Sequence, residues 1–193
     1  MERARVYRLN LSIMKHFLLF ITCLFFFQGI AQSKYYTKSG IITFESSVPA
    51  FEAVKAINKK VTTILKDDGS IASLVLMKGF RFKVALMEEH FNENYIESNS
   101  YPKATFSGKI ADFSLKNLSH RNKEYTITGE FTLREITKKI TITASIKTIK
   151  NHIHILASFQ LNPKDFGINI PKIVRKKIAK QVDVFLEFNL KKK

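Results

Sequence analysis

The sequence predicts an all-β domain built on an antiparallel sheet of about eight strands. Apolar and polar residues alternate along most of the chain, which is the period of a strand with one buried face. The strand-like segments recur about every 10–20 residues, with turn residues between them. No strand–helix–strand units alternate along the chain, so a parallel sheet is not expected. An apolar face this continuous must be covered by a second sheet or enclosed by closure into a barrel.

The first 31 residues are predicted to be a secretory signal and not part of the fold. Lys15 and His16 precede an apolar run from Phe17 to Phe27, and small residues follow up to Ala31. This run is too short for a membrane span, which needs about 20 apolar residues. We expect Met14 to be the true start and cleavage to follow Ala31. Residues 32–193 then form the exported domain, in the periplasm or outside the cell.

Cysteine and charge content narrow the classes of function. The single cysteine, Cys23, lies in the leader, so the exported domain has no disulfide and no sulfur-ligated metal. The formal charge of +16 becomes +13 when the four cationic residues and one acidic residue of the leader are removed. Such a surface favours anionic partners, for example a membrane surface. Nucleic acid is not expected, because the chain is exported and has no zinc-finger spacing or RNA-reading aromatic motif.

The strands are predicted from period-2 alternation. In the segment 124–133, Tyr125, Ile127 and Phe131 share one face while threonines occupy the other. "KDDGS" at 66–70 predicts a tight hairpin of the Asp-Gly type. The predicted strands are 40–44, 70–77, 79–86, 104–110, 124–133, 140–147, 152–161 and 182–190.

Two segments break the alternation. Residues 48–58, "VPAFEAVKAIN", fit either a short helix or an irregular crossing. Residues 170–182, "IPKIVRKKIAKQV", predict a helix, because Pro171 suits a first turn and apolar residues recur four apart. Lys172, Lys176 and Lys180 would then share another stripe of this helix.

The polar stretch at 90–106, "HFNENYIESNSYPKATF", admits two readings. His90 with Glu89, Glu93 and Glu97 could ligate a metal or act as an acid–base pair. The spacing matches no zinc-enzyme pattern, and asparagine and serine favour turns whose side chains bond the local backbone. A structural corner is therefore favoured, and no metal or other cofactor is assigned. His152 and His154 share one strand face, which we expect to be solvated.

The residues alone leave three classes of function to compare: an enzyme, a protein that binds an apolar ligand, and a structural or interaction protein. Nucleophile motifs and phosphate-binding loops are absent, so no catalytic residue is assigned and the chain is not expected to be an enzyme. The phenylalanines fit either a tightly filled core or a barrel with space for an apolar ligand. A filled barrel would work as a structural or interaction protein through its basic surface.

Several longer blocks resemble the YceI-like family of exported proteins. They are 85–110 ("ALMEEHFNENYIESNSYPKATFSGKI"), 125–142 ("YTITGEFTLREITKKITI") and 165–171 ("DFGINIP"). The resemblance covers nearly the whole exported domain. It implies a lipocalin-like, eight-stranded antiparallel β-barrel with one or two short helices and a tunnel that accommodates a polyisoprenoid chain. One departure is that Arg134 and Glu135 stand where the family typically carries histidine and glycine, which implies an altered local turn and rim.

The resulting hypothesis is an exported protein that sequesters or carries a long apolar chain, a polyisoprenoid or similar lipid, without chemistry. Strand register selects the predicted lining residues Phe44, Leu76, Phe82, Leu86, Phe106, Ile127, Phe131, Ile142, Phe159 and Val184. Lys172, Lys176 and Lys180 are predicted to contact a head group or an anionic membrane surface. The sequence leaves open whether the chain forms a homodimer.

Overall fold

A computed structural model describes residues 33–46, 54–171 and 180–193. Within these residues the chain forms nine strands and one short α-helix, α1 (Ala85–His90). A π-helical turn, Phe91–Tyr95, continues α1, and three short 3₁₀ turns cover 77–79, 115–117 and 163–166. The strands are β1 (Lys34–Glu45), β2 (Lys55–Lys66), β3 (Ser70–Leu76), β4 (Arg81–Phe82), β5 (Lys103–Ile110), β6 (Lys123–Leu133), β7 (Ile136–Ile149), β8 (His152–Leu161) and β9 (Val182–Lys192).

Eight of the strands close into an antiparallel barrel. Hydrogen-bonded neighbours follow the order β1-β9-β8-β7-β6-β5-β3-β2, and β2 pairs back with β1 to complete the circle. The two-residue strand β4 is only an extension that pairs with β2 at Ala56 and Ile57. The predicted eight-stranded, lipocalin-like antiparallel barrel is therefore confirmed, and the closed form replaces the two-sheet alternative.

The two ends of the barrel differ in what fills them. We call the end where β1, β3, β6 and β8 finish the mouth, and the opposite end the base. The base is packed with side chains that are almost completely buried and mostly aliphatic, because inward positions of a small barrel must be filled. These residues include Val61, Leu65, Ile110, Ile146, Ile153 and Leu190.

The turns follow from local sequence. Gly69 adopts φ +83° in the β2–β3 connection, a conformation that glycine reaches without a side-chain penalty, as the Asp-Gly signal predicted. Arg134 and Glu135 form the whole β6–β7 connection, between the paired residues Leu133 and Ile136. Both have positive φ, 49° and 63°. This two-residue reversal is made without glycine, so side-chain contacts must offset its backbone strain.

Two sequence predictions need correction. Residues 79–86 are not one long strand, because only Arg81 and Phe82 pair, and α1 begins at Ala85. Their alternation arises from Phe80 and Phe82, whose rings pack beside Phe44 at the mouth. Residues 55–58 belong to β2, and not to a short helix or an irregular crossing; β2 was not among the predicted strands.

Other predictions fall outside the described residues. Residues 48–53, most of the predicted helix at 170–182, and the predicted signal at 1–31 lie there. Val182, at the end of that predicted helix, is the first residue of β9. Among the described residues, no helix has the length and apolar character that crossing a bilayer requires.

We predict that Gly129→Ala destabilises the fold. Gly129 faces Gly108 across the β5–β6 ladder, and an added Cβ would lie 2.6 Å from both the Gly108 Cα and the Phe106 ring. Because backbone cannot move aside as a flexible side chain can, urea unfolding should show a loss of about 1–3 kcal/mol. Glu130→Ala, one residue along and exposed, is the control. Equal stability of the two variants would contradict this account of the glycine pair.

Candidate functional site

A cavity of about 530 Å³ occupies the mouth half of the barrel. This volume lies within the range of about 300–1,000 Å³ that is usual for ligand sites. Nearly all of its lining is apolar, and the polar side chains among the described lining residues are those of Ser46, His90 and Tyr95. A smaller apolar cavity of about 70 Å³ lies next to it, towards the base. Together the two cavities leave the part of the interior nearer the mouth hollow, whereas the base is filled.

Four phenylalanine rings build one wall of the mouth. Phe44 of β1 stacks on Phe91 with centroids 5.3 Å apart, and Phe80 approaches Phe44 edge-on at 5.1 Å. Phe82 contacts both Phe44 and Phe91, at 5.7 and 5.1 Å. Such pairs favour edge-to-face and offset arrangements, so each ring fixes its neighbours. The wall therefore holds its shape without side chains filling the space in front of it.

The polar stretch that begins at His90 packs against the mouth as part of this wall. Phe91 and Ile96 are buried, whereas Glu93 and His90 are exposed. Within the described residues no three histidine, cysteine, aspartate or glutamate side chains come together as a metal site. Burial raises the pKa of Tyr95, whose hydroxyl, like that of any tyrosine, is uncharged at neutral pH.

Arg134 ties three segments of the rim together. Its Nη1 donates to the carbonyl oxygens of Tyr95 at 3.2 Å and Gly167 at 2.9 Å, and its Nη2 donates to the Glu97 carboxylate. The guanidinium also lies 5.1 Å from the Tyr101 ring centroid. The planar fork of arginine suits such divided contacts, and the side chain is only 15% exposed. These contacts fix the strained β6–β7 turn to both the 91–101 segment and the 163–167 turn.

Most predicted lining residues face one of the two cavities. Phe44, Phe82, Leu86 and Val184 line the mouth cavity. Phe106, Ile127 and Ile142 line the smaller one, and Phe131 and Phe159 line both. That these residues contact a ligand stays a prediction.

Leu76 is a correction. Leu76 is 56% exposed and lines neither cavity, whereas Val75 and Met77 on either side of it are buried and line the mouth cavity. The prediction was wrong by one residue in strand register, which places a side chain on the opposite face.

Comparison of the sequence with the profiles of known families identifies the family of this chain. Residues 36–190 match the sequence profile of the YceI-like domain. The chain belongs to the YceI-like family. A search among curated proteins found no significant match.

Solved structures share the fold of this YceI-like chain at low sequence identity. A polyisoprenoid-binding domain from Saccharophagus degradans, implicated in plant cell wall breakdown, superimposes with a TM-score of 0.71 at 10% identity. The alignment covers 83% of this chain and 98% of that domain. Burkholderia cenocepacia BcnA gives a TM-score of 0.64 at 14% identity, covering 78% of this chain and 95% of BcnA. The Campylobacter jejuni YCEI protein gives 0.55 at 15% identity, covering 72% and 86%.

Several lining residues of the YceI-like barrel were missed from the sequence. Phe91 and Tyr95 lie in the short helical segment, where the strand period carries no information about facing. Phe80 lies between a 3₁₀ turn and β4, two residues before the predicted Phe82. Phe166 sits in a 3₁₀ turn and packs edge-on against Phe131 at 5.3 Å. The sequence signal that could have identified Phe91, Tyr95 and Phe166 is the clustering of aromatic residues outside the predicted strands. Of the predicted head-group lysines, Lys172 and Lys176 lie outside the described residues, and Lys180 is exposed shortly before β9.

We predict that Arg134→Ala lowers the free energy of unfolding by about 1–3 kcal/mol, because two rim carbonyls lose their charged donor. Arg121→Ala is the matched control, since Arg121 is exposed. Chemical denaturation of both variants measures the difference. If Arg134→Ala proves as stable as Arg121→Ala, the rim contacts do not hold these segments.

Proposed function

We propose that this chain is an exported lipid-binding protein that holds a long apolar chain, a polyisoprenoid or similar lipid, in the barrel interior. The observation that carries the proposal is the hollow mouth half, with a nearly continuous apolar lining. An apolar chain placed there would exchange water for contacts with rings and aliphatic side chains, at about 0.8 kcal/mol per buried methylene. Binding alone is the function, and no bond is made or broken.

Membership of the YceI-like family supports the same ligand class. One structural neighbour is itself a polyisoprenoid-binding domain, and it has the same barrel. Apolar contacts have little directional preference, so the site would tolerate differences between related chains. Export, to the periplasm or the outside of the cell, is part of the proposal and is supported by the leader-like pattern of residues 14–31.

A filled barrel that works through its surface is the second candidate. The strongly basic charge of the chain favours it. A cavity of about 530 Å³ is difficult to reconcile with it, because interiors without ligands are packed closely, with few voids larger than a water molecule. We therefore assign the basic surface to contacts with anionic membrane surfaces, in support of lipid exchange.

Two leucines make a matched test of the proposed site. Leu86 of α1 lines the mouth cavity, Leu76 does not, and both residues are 56% exposed. We predict that Leu86→Asp weakens farnesol binding at least about tenfold, because a carboxylate at the lining must lose water when the chain enters. Leu76→Asp should bind farnesol as the unmodified protein does.

Calorimetric titration of the two variants measures this difference, and circular dichroism checks that both are folded. Equal affinity of the two variants for farnesol would exclude the mouth cavity as the site. A failure of the unmodified protein to bind any prenyl alcohol would instead reject lipid binding itself.

A further inference from the structure

The barrel interior is arranged in levels along each strand. On β6 the inward residues run from Ile127 at the small cavity, through Phe131, to Leu133 at the mouth. β8 repeats the order with Ile155, Phe159 and Leu161. The two cavities are therefore stacked along the barrel axis, with the small cavity deeper.

Five residues line both cavities and so mark the level at which they meet. They are Ile42, Val75, Ala104, Phe131 and Phe159. Ala104 and Val75 are small, so the two rings are the largest side chains at this level. Phe131 is held from the mouth side by Phe166, with ring centroids 5.3 Å apart. Its ring therefore has a fixed neighbour and a defined position.

The deeper cavity is closed towards the base. Phe106 extends over the glycine pair, where its Cζ would lie 2.7 Å from a Cβ at Gly108 and 2.6 Å from one at Gly129. Below that level the side chains of Ile110, Ile153 and Leu190 are fully buried. A chain that enters from the mouth consequently meets a constriction at the two rings, then a small chamber, and then a filled base.

We propose that Phe159, together with Phe131, sets the length of chain that the barrel can bury. This inference rests on the proposed lipid-binding function and adds a limit of length to it. The mouth cavity of about 530 Å³ has room for roughly eighteen methylene-sized groups, if each takes about 30 Å³ as a water molecule does in the liquid. The preferred ligand is thus a prenyl chain with about this much buried length, and carbons beyond it stay outside the mouth.

Phe159 is the better residue to change. Phe131 packs on Phe166, so its removal would also disturb the rim. Phe159→Ala should join the two cavities and admit a longer chain. Phe185→Ala is the matched control, because Phe185 lies on the outer face of β9 and is 48% exposed. Phe159→Leu, which leaves a smaller gap, replaces the alanine variant if that variant does not fold.

The experiment compares farnesol, geranylgeraniol and geranylfarnesol, which differ by one isoprene unit each, in competition and with detection by native mass spectrometry. For the unmodified protein and for Phe185→Ala, affinity should rise up to geranylgeraniol and then change by less than about threefold. In Phe159→Ala the added isoprene unit becomes buried, so geranylfarnesol should gain at least about tenfold over geranylgeraniol. Adding Ile142→Phe to Phe159→Ala refills the deeper cavity and should restore the original preference.

The outcomes separate this inference from the function on which it rests. If the unmodified protein binds none of the three alcohols, the proposed function fails. If it binds them, and folded Phe159→Ala or Phe159→Leu shows the same dependence on chain length as Phe185→Ala, the length limit is wrong while lipid binding stands. A gain in Phe159→Ala that the Ile142→Phe addition does not reverse would likewise overturn the assignment of the deeper cavity.

Discussion

Closure of the sheet by the β1–β2 ladder is the constraint on which the rest of the structure depends. Because β1 forms hydrogen bonds with both β9 and β2, the barrel has no free edge along this ladder. Its interior must then be filled by side chains or by a ligand. The base is filled by aliphatic residues such as Leu65 and Ile146. The mouth half is not, and its open space persists because the surrounding rings are braced against one another.

The bracing has two parts that act on different sides of the mouth. The Phe44, Phe80, Phe82 and Phe91 rings fix the helical segment against β1. Arg134 then fixes the end of that segment to the β6–β7 turn and to Gly167. The strained turn at Arg134 and Glu135 is accommodated by these contacts, because the turn places the long cationic side chain of Arg134 where it can bond the rim.

Strand alternation predicted an antiparallel sheet with one buried face, because alternation depends only on which face is buried, and the resemblance to the YceI-like family implied closure into a barrel. This is why Phe131, Ile142 and Phe159 were assigned to the interior correctly. The same reasoning failed at Leu76, where a continuous apolar run leaves the register undetermined by one residue. It also failed at residues 79–86, since a helix that follows two paired residues gives nearly the same apolar pattern. The Arg134 contacts join residues 33 and 39 positions apart, and no local pattern can predict them.

Charge plays a smaller part inside the cavity than the composition suggests. Among the described lining residues there is no lysine or arginine, and the Tyr95 hydroxyl is neutral. Selection of a ligand would therefore depend on its shape and on apolar contacts, and the basic surface would act outside the cavity.

A crystal structure of the protein purified without added lipid tests the central claim most directly. The account predicts elongated electron density in the mouth cavity, between the Phe91 ring and the Phe159 ring, ending at the level of Phe131. Side chains that meet across the mouth half and leave no space for a chain would contradict it.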